Sequence, residues 1–270
     1  MTEVVLKKNV FHFFIMAAVV FTVSASNCFS QNQEDKKAEK QETTQCVSPL
    51  SFSFGMDLVS RYIWRGIEFG ADIDGSSSPH FQPTAAFTYS FGKAGALSLG
   101  VWGSYAFSGN FSESDVYLNY AVNTKAGNIS LTFNDYYYPY VGIPVTNFDG
   151  DGKGAHTIDA QLAYTFPEVF PLTVMVSNNV HNDFPDNKSL YIEASYPFTV
   201  SDVQLGLVVG AAKGPSLWHS IYTDKFEFNN IGLKASKSIK ITQDFSLPVG
   251  FNWIYNAHLK KTYVVFKVTF

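Results

Sequence analysis

Asp57, Arg61 and Arg65 recur at every fourth position within a stretch that alternates apolar and polar residues. In an extended chain, residues an even number apart share a face. The spacing therefore predicts a row of three charges running about 25–30 Å along one strand, at roughly 3.3 Å per residue. Facing a water-filled lumen, such a row forms part of a charged ladder that selects ions. Set against Asp115, Asp159 or Glu193 on other strands, the same residues make an ion-pair network that closes the lumen. Both readings stay open, and Lys234 and Lys267, also on inward positions, carry the same two meanings.

Three further groups have chemical potential. Trp102, Tyr117, Tyr136 and Tyr138 fall on the inward phase; such rings form a track for sugars or other flat solutes, or fill a narrow interior, and the space in a small barrel favours filling. Asn147-Phe148-Asp149-Gly150-Asp151-Gly152-Lys153-Gly154 alternates oxygen donors with glycine, a pattern that can wrap calcium. The acid that closes an EF-hand would fall at Ile158, so the stretch reads as a flexible exterior loop of turn-forming residues. No metal site and no cofactor is expected. His156, His181 and Trp218-His219-Ser220 lie in or beside predicted loops. No placed base, nucleophile and oxyanion donor can be assembled from them, so the chain does not read as an enzyme.

The elements that must position these residues are short. Twelve segments alternate in sidedness. In the first, Phe52, Phe54, Met56, Leu58, Tyr62 and Trp64 share one face, and Ser53, Gly55, Asp57, Arg61 and Arg65 share the other. The last, 261–270, sets Val264, Phe266, Val268 and Phe270 against Tyr263, Val265, Lys267 and Thr269. A face that stays apolar suits hydrocarbon, and an aromatic at the strand's end looks like the signature by which outer-membrane barrels are recognised for insertion, here Phe266, Val268 and Phe270. Connections alternate between short, as at 92–95 and 199–202, and long, as at 66–79 and 139–155. Short turns belong to the periplasm and long loops to the exterior. The connection at 237–246 is long for a turn, and the tenth strand, 229–236, is the least sharply bounded. Aromatics close many of the strands, Tyr62 and Trp64 on one rim and Tyr89, Phe91 and Phe270 on the other. Two such girdles suit a membrane-spanning barrel and have no role in a soluble sandwich.

The N-terminus carries Lys7 and Lys8 ahead of an apolar run at 10–23 and small residues at Ser24, Ala25 and Ser26, which reads as a cleaved secretory signal. The tract at 31–45 is polar and charged and reads as a solvated leader. With only Cys28 and Cys46 in the chain, a disulfide scaffold is excluded. Asn27 stands where a lipoprotein signal has Gly or Ala, which argues against lipidation of Cys28. The chain is 46% hydrophobic and 16% aromatic, yet beyond the signal no apolar run approaches a helical span. A formal net charge of −4 argues against nucleic acid as a partner.

Asp57-Leu58-Val59-Ser60-Arg61-Tyr62-Ile63-Trp64-Arg65-Gly66-Ile67 resembles the opening strand of the TorF-type porins, the Gcw_chp family, with its Ser-x-Tyr-x-x-Arg-Gly pattern. Similar passages are Leu99-Gly100-Val101-Trp102-Gly103-Ser104, the acidic start of the fourth strand at 113–120, and Tyr136-Tyr137-Tyr138-Pro139. The likeness extends over 51–270 and is densest in the first third. It implies a porin-type barrel and no particular solute.

The expectation is an all-β chain: a signal peptide at 1–30, a polar periplasmic leader at 31–48, and a transmembrane antiparallel up-and-down β-barrel of about 12 strands at 49–270, in the bacterial outer membrane. It would pass small solutes or ions passively through a narrow lumen lined by the charged residues above, with the loop at 139–155 as gate or constriction. Its partners would be outer-membrane lipid and the barrel assembly machinery. The alternative is a closed barrel whose exterior loops serve adhesion or assembly.

Overall fold

The computed structural model describes residues 48–71 and 74–270. The expected signal, Cys28, Cys46 and all but the last residue of the expected leader lie outside the described residues.

Alternation dictates the wall. Among the described residues fourteen strands form, β1 (Leu50–Val59), β2 (Tyr62–Trp64), β3 (Ile67–Phe69), β4 (His80–Ser90), β5 (Ala96–Ala106), β6 (Ser112–Thr124), β7 (Gly127–Tyr137), β8 (His156–Thr165), β9 (Thr173–His181), β10 (Leu190–Val200), β11 (Val203–Lys213), β12 (Phe226–Lys240), β13 (Ser246–Asn256) and β14 (Lys261–Thr269). All but β2 and β3 join into one closed, twelve-stranded antiparallel barrel in which successive strands are neighbours. The apolar set of each strand faces outward: Phe52 is 59%, Phe54 74% and Phe266 61% exposed. The opposite set faces the lumen, where Thr88 meets Ser98 at 2.7 Å, Asn119 meets Thr132 at 2.6 Å and Thr165 meets Thr173 at 2.9 Å. Closure leaves the sheet without a free lateral edge along most of its length, which is how a two-faced sheet satisfies its backbone.

Turns at 91–95, 125–126, 166–172, 201–202 and 241–245 share one rim with the start of β1 and the end of β14; the other rim carries the long connections at 60–79, 138–155, 182–189 and 214–225 together with the short ones at 107–111 and 257–260. The connection expected at 237–246 shrinks because β12 and β13 continue pairing down to Lys240 and Ser246.

The first strand departs from expectation. β1 ends at Val59, and Tyr62–Phe69 leaves the wall as a separate hairpin, β2 paired with β3. The turn is Arg65-Gly66, with φ of 48° and 77°. A two-residue turn with both φ values positive matches the twist of paired strands, and glycine at its second position carries no strain. Tyr62 and Trp64 therefore turn inward and belong to no outer girdle. Arg61 and Arg65 are not continuations of the Asp57 face, and the three-charge ladder does not exist.

Because β1 leaves the wall early, the closing seam is short. It holds three register pairs, Asp57 with Thr269, Leu58 with Val268 and Val59 with Lys267. Beyond these, the Phe270 N–H donates to the Met56 carbonyl at 2.8 Å and the Met56 N–H to the Phe270 carbonyl at 3.1 Å. The Ser60 N–H donates to the Phe266 carbonyl at 2.9 Å, and the Lys267 ammonium donates to Asp57 at 3.0 Å across the same seam. Deleting Phe270 removes two of these bonds and is expected to lower the folding free energy by about 1–3 kcal/mol, the net worth of two hydrogen bonds. Phe270→Ala keeps both and should melt closer to the parent. Heat-dependent gel migration in detergent measures the difference; equal melting of deletion and parent would remove Phe270 from the closure.

Candidate functional site in the lumen

The hairpin enters from the long-loop rim and crosses the lumen. Its tip meets β8 and β10, the two strands that flank β9, and β9 is the strand reached from β1 by equal steps in either direction round the barrel. Arg65 Nη2 lies 2.7 Å from Asp159 Oδ2, both side chains being buried. The same carboxylate accepts from the Tyr136 hydroxyl at 2.9 Å, the Gln161 amide at 2.8 Å and the Ser177 hydroxyl at 2.7 Å. A buried ion pair offsets its desolvation only when its remaining hydrogen-bonding capacity is met; here the acid has four donors. The guanidinium also lies over two rings, 4.3 Å from the Trp64 centroid and 4.6 Å from that of Tyr191, a favourable cation–π geometry.

The backbone of the turn is held as firmly as its side chain. The Asn229 amide donates to the Arg65 carbonyl and the Asn256 amide to the Gly66 carbonyl, each at 3.0 Å. A Cβ at Gly66 would overlap the Asn229 carbonyl. Two β-bulges aim these partners. In β12 the register slips between Gly210 and Ala211, so that Asn229 is unpaired in the ladder and points inward together with Asn230. In β9 a slip opposite Ile158 and Asp159 sets Asp159 against Asn179. Bulges re-aim side chains in this way beside functional sites.

The loop at 214–225 completes the septum. His219 stacks on Trp64 at 5.3 Å and on Tyr191 at 5.6 Å, and its Nδ1 pairs with the Ser216 hydroxyl at 2.9 Å. Burial, then the Arg65 charge, hold this imidazole down at about 3, so the ring is neutral at physiological pH. Nearer the wall, Tyr62 packs with Ala106 and Phe111, and Trp64, Phe69, Trp102 and Tyr138 lie against them.

The septum separates two spaces. Toward the long loops is an apolar cup of about 400 Å³ whose lining includes Ile67, Phe69, Tyr138, Tyr140, Phe184 and Trp218. Toward the short turns is a chamber of about 460 Å³ lined by Tyr62, Trp64, Thr84, Trp102, Asp115, Tyr117, Asn134, Tyr136 and Gln161. Below it the lumen wall is polar.

Of the residues singled out in the sequence, Arg65 and Asp159 are brought together at the septum. Arg61 pairs with Glu68 inside the hairpin at 3.6 Å, and Asp57 pairs with Lys267 at the seam. Glu193 accepts from the Tyr191 hydroxyl at 2.5 Å and from Asn230 at 3.1 Å. Lys234 stands opposite Gly206 and Asn252, exposed in the lower lumen. Asp115 borders the chamber. Trp102, Tyr117 and Tyr136 line that chamber, whereas Tyr138 sits at the cup. In the glycine-rich stretch, the Asn147 side chain accepts from the Asp149 N–H at 2.8 Å, and Phe148 stacks on His156 at 4.1 Å.

Sequence reasoning missed Asn229 and Asn256, and placed His219 in a loop without its part in the septum. One signal was present: the outward apolar positions of β12 run Phe226, Phe228, then Ile231, Leu233. That slip of one residue marks the bulge at Asn229.

A family model described as "Bacterial protein of unknown function (Gcw_chp)" matches residues 43–264. No curated protein matches the chain.

Replacing Asp159 by Asn strands a buried guanidinium, and losing one partner of a buried pair costs about 3–5 kcal/mol. The hairpin should then leave its seat. Trypsin is expected to spare Arg65 in the folded parent and to cleave after it in Asp159→Asn and in Gly66→Ala. Continued protection in both variants would show that neither the ion pair nor the tight turn holds the septum.

Proposed function

Since the chain belongs to the Gcw_chp family of bacterial proteins, we propose that this barrel sits in the outer membrane and works as a gated, porin-type channel whose gate is the Tyr62–Phe69 hairpin. What carries the reading is the contrast between the hairpin's anchorage and the wall around it. The barrel is a continuous ladder, whereas the tip is held by one ion pair, two asparagine–carbonyl bonds and ring stacking. Polar contacts of this kind exchange with water at modest net cost, so the hairpin can leave its seat without the barrel opening.

Several features support the membrane setting. The outer face is apolar from strand to strand, with Leu131 and Phe133 at 40% and 41% exposure among many. Contiguous apolar area on that scale is not sustained in water and suits lipid. Phe266, Val268 and Phe270 would then face lipid and serve the barrel assembly machinery. The polar lower lumen, with Lys234, Lys267 and Asp57 along it, would carry small solutes or ions once the gate opens. Ser216 and His219, hydrogen-bonded to each other, are both fully buried, and in this reading they hold the septum.

Recordings in planar bilayers provide the test. The parent is expected to conduct rarely and in brief steps. Asp159→Asn combined with Asn229→Ala should raise the fraction of time open by tenfold or more, since about 1.4 kcal/mol of lost anchorage is tenfold in an equilibrium. Silence from both proteins at every voltage would abandon the channel and leave the alternative, a permanently closed barrel acting through its exterior loops.

A further inference from the structure

We propose that the chamber beneath the hairpin is a binding site for an organic cation, of the quaternary ammonium or alkylamine class. The inference rests on the channel reading for what the site would serve, a cation preference, but the site itself is carried by its own geometry.

The wall register assembles it. Across β4, β5, β6 and β7, Thr84 pairs with Trp102, Trp102 with Asp115, and Asp115 with Tyr136, so that their side chains stand in one inward row. One step nearer the short-turn rim, Tyr117 lies over Gly100, where a Cβ would overlap its ring. Glycine there lets the tyrosine lie flat against the wall and leaves the chamber open. Tyr62 and Trp64 of the hairpin form the roof. Five aromatic rings thus surround a space of about 460 Å³, large enough for a small organic ion.

Charge decides what such a cage takes. Asp115 is only 7% exposed, and its Oδ1 has no hydrogen-bond partner. Two residues along the same face, Glu113 is 2% exposed and lies outside the chamber lining, beside the Tyr62 and Tyr138 hydroxyls. Among the described residues, no lysine, arginine or histidine lines the chamber. Arg65, stacked over Trp64 at 4.3 Å, is paired with Asp159 at 2.7 Å. A buried acid ionises only beside a compensating positive charge, and the faces of tryptophan and tyrosine attract a cation through their quadrupoles. A compact inorganic ion would gain little from the rings, whereas an alkylated ammonium meets both features. A sugar also stacks on aromatic faces, and its hydroxyls can donate to Asp115; what it lacks is the positive charge that would offset an ionised acid there.

Calorimetric titration of the full barrel with choline, in a polyoxyethylene detergent, tests the site without requiring conductance. Saturable one-to-one binding is expected, weakened roughly tenfold or more by Asp115→Asn and, from the usual range of a desolvated cation–π contact, about tenfold by Trp102→Leu. The uncharged isostere with carbon in place of the quaternary nitrogen should not compete. Unchanged choline affinity in both variants, each confirmed as folded by heat-dependent migration, would overturn the assignment. So would equal binding of the isostere, or binding of methyl glucoside in preference to choline. Choline binding to a barrel that never conducts would refute the channel and leave the cage standing; conduction without choline binding would do the reverse.

Discussion

A charged group inside a narrow barrel must find a partner, and the Arg65–Asp159 pair is how this chain meets that requirement. Much else follows from it. Arg65 reaches Asp159 only because the chain leaves β1 at Ser60 and doubles back through a two-residue turn. That turn needs Gly66, and its buried carbonyls need donors. Asn229 and Asn256 supply them, and Asn229 faces inward only because β12 is bulged. The ion pair, the turn and the bulge are therefore one unit rather than three independent features. The four donors on Asp159 offset much of the cost of burying the acid.

The barrel and the septum are built from different forces, and this separates their stabilities. Wall strands share ladders with neighbours on both sides and turn their apolar residues outward. The hairpin has a ladder only between its own short arms and relies on rings and polar tips for its position. Local opening is drawn from such weakly laddered segments, with the surrounding sheet intact. The cost to the wall is visible at the seam. With β1 departing early, residues Lys261–Val265 of β14 pair on one side alone, and closure rests on the stretch between Met56 and Ser60.

The septum also divides the interior by chemistry. Above it the lining is apolar; directly beneath it aromatic rings surround an acid; lower still, hydroxyls, amides and lysines alternate. A solute moving through would meet these zones in turn. The two charges of the septum, Arg65 and Asp159, pair with each other.

The alternation of side chains was sufficient to fix the wall. Strand number, the outward set on β14, the inward phase of Trp102 and Tyr117, and the rim of short turns all follow from a period of two, because every such residue depends only on its neighbours along the strand. The same rule carried through Ser60 placed Tyr62 and Trp64 outward and ran three charges into a ladder. Nothing local contradicts that extension, since Tyr62-Ile63-Trp64 is as good a wall strand as a lumen strand. What separates the two is the fate of Arg65, and that depends on Asp159, a residue 94 positions away. The β12 bulge left a trace in the spacing of Phe228 and Ile231, but the β9 bulge left none. Periodicity in the chain thus determined the cylinder, whereas pairing of distant charges, which only closure of the cylinder brings within reach, decided what lies inside it.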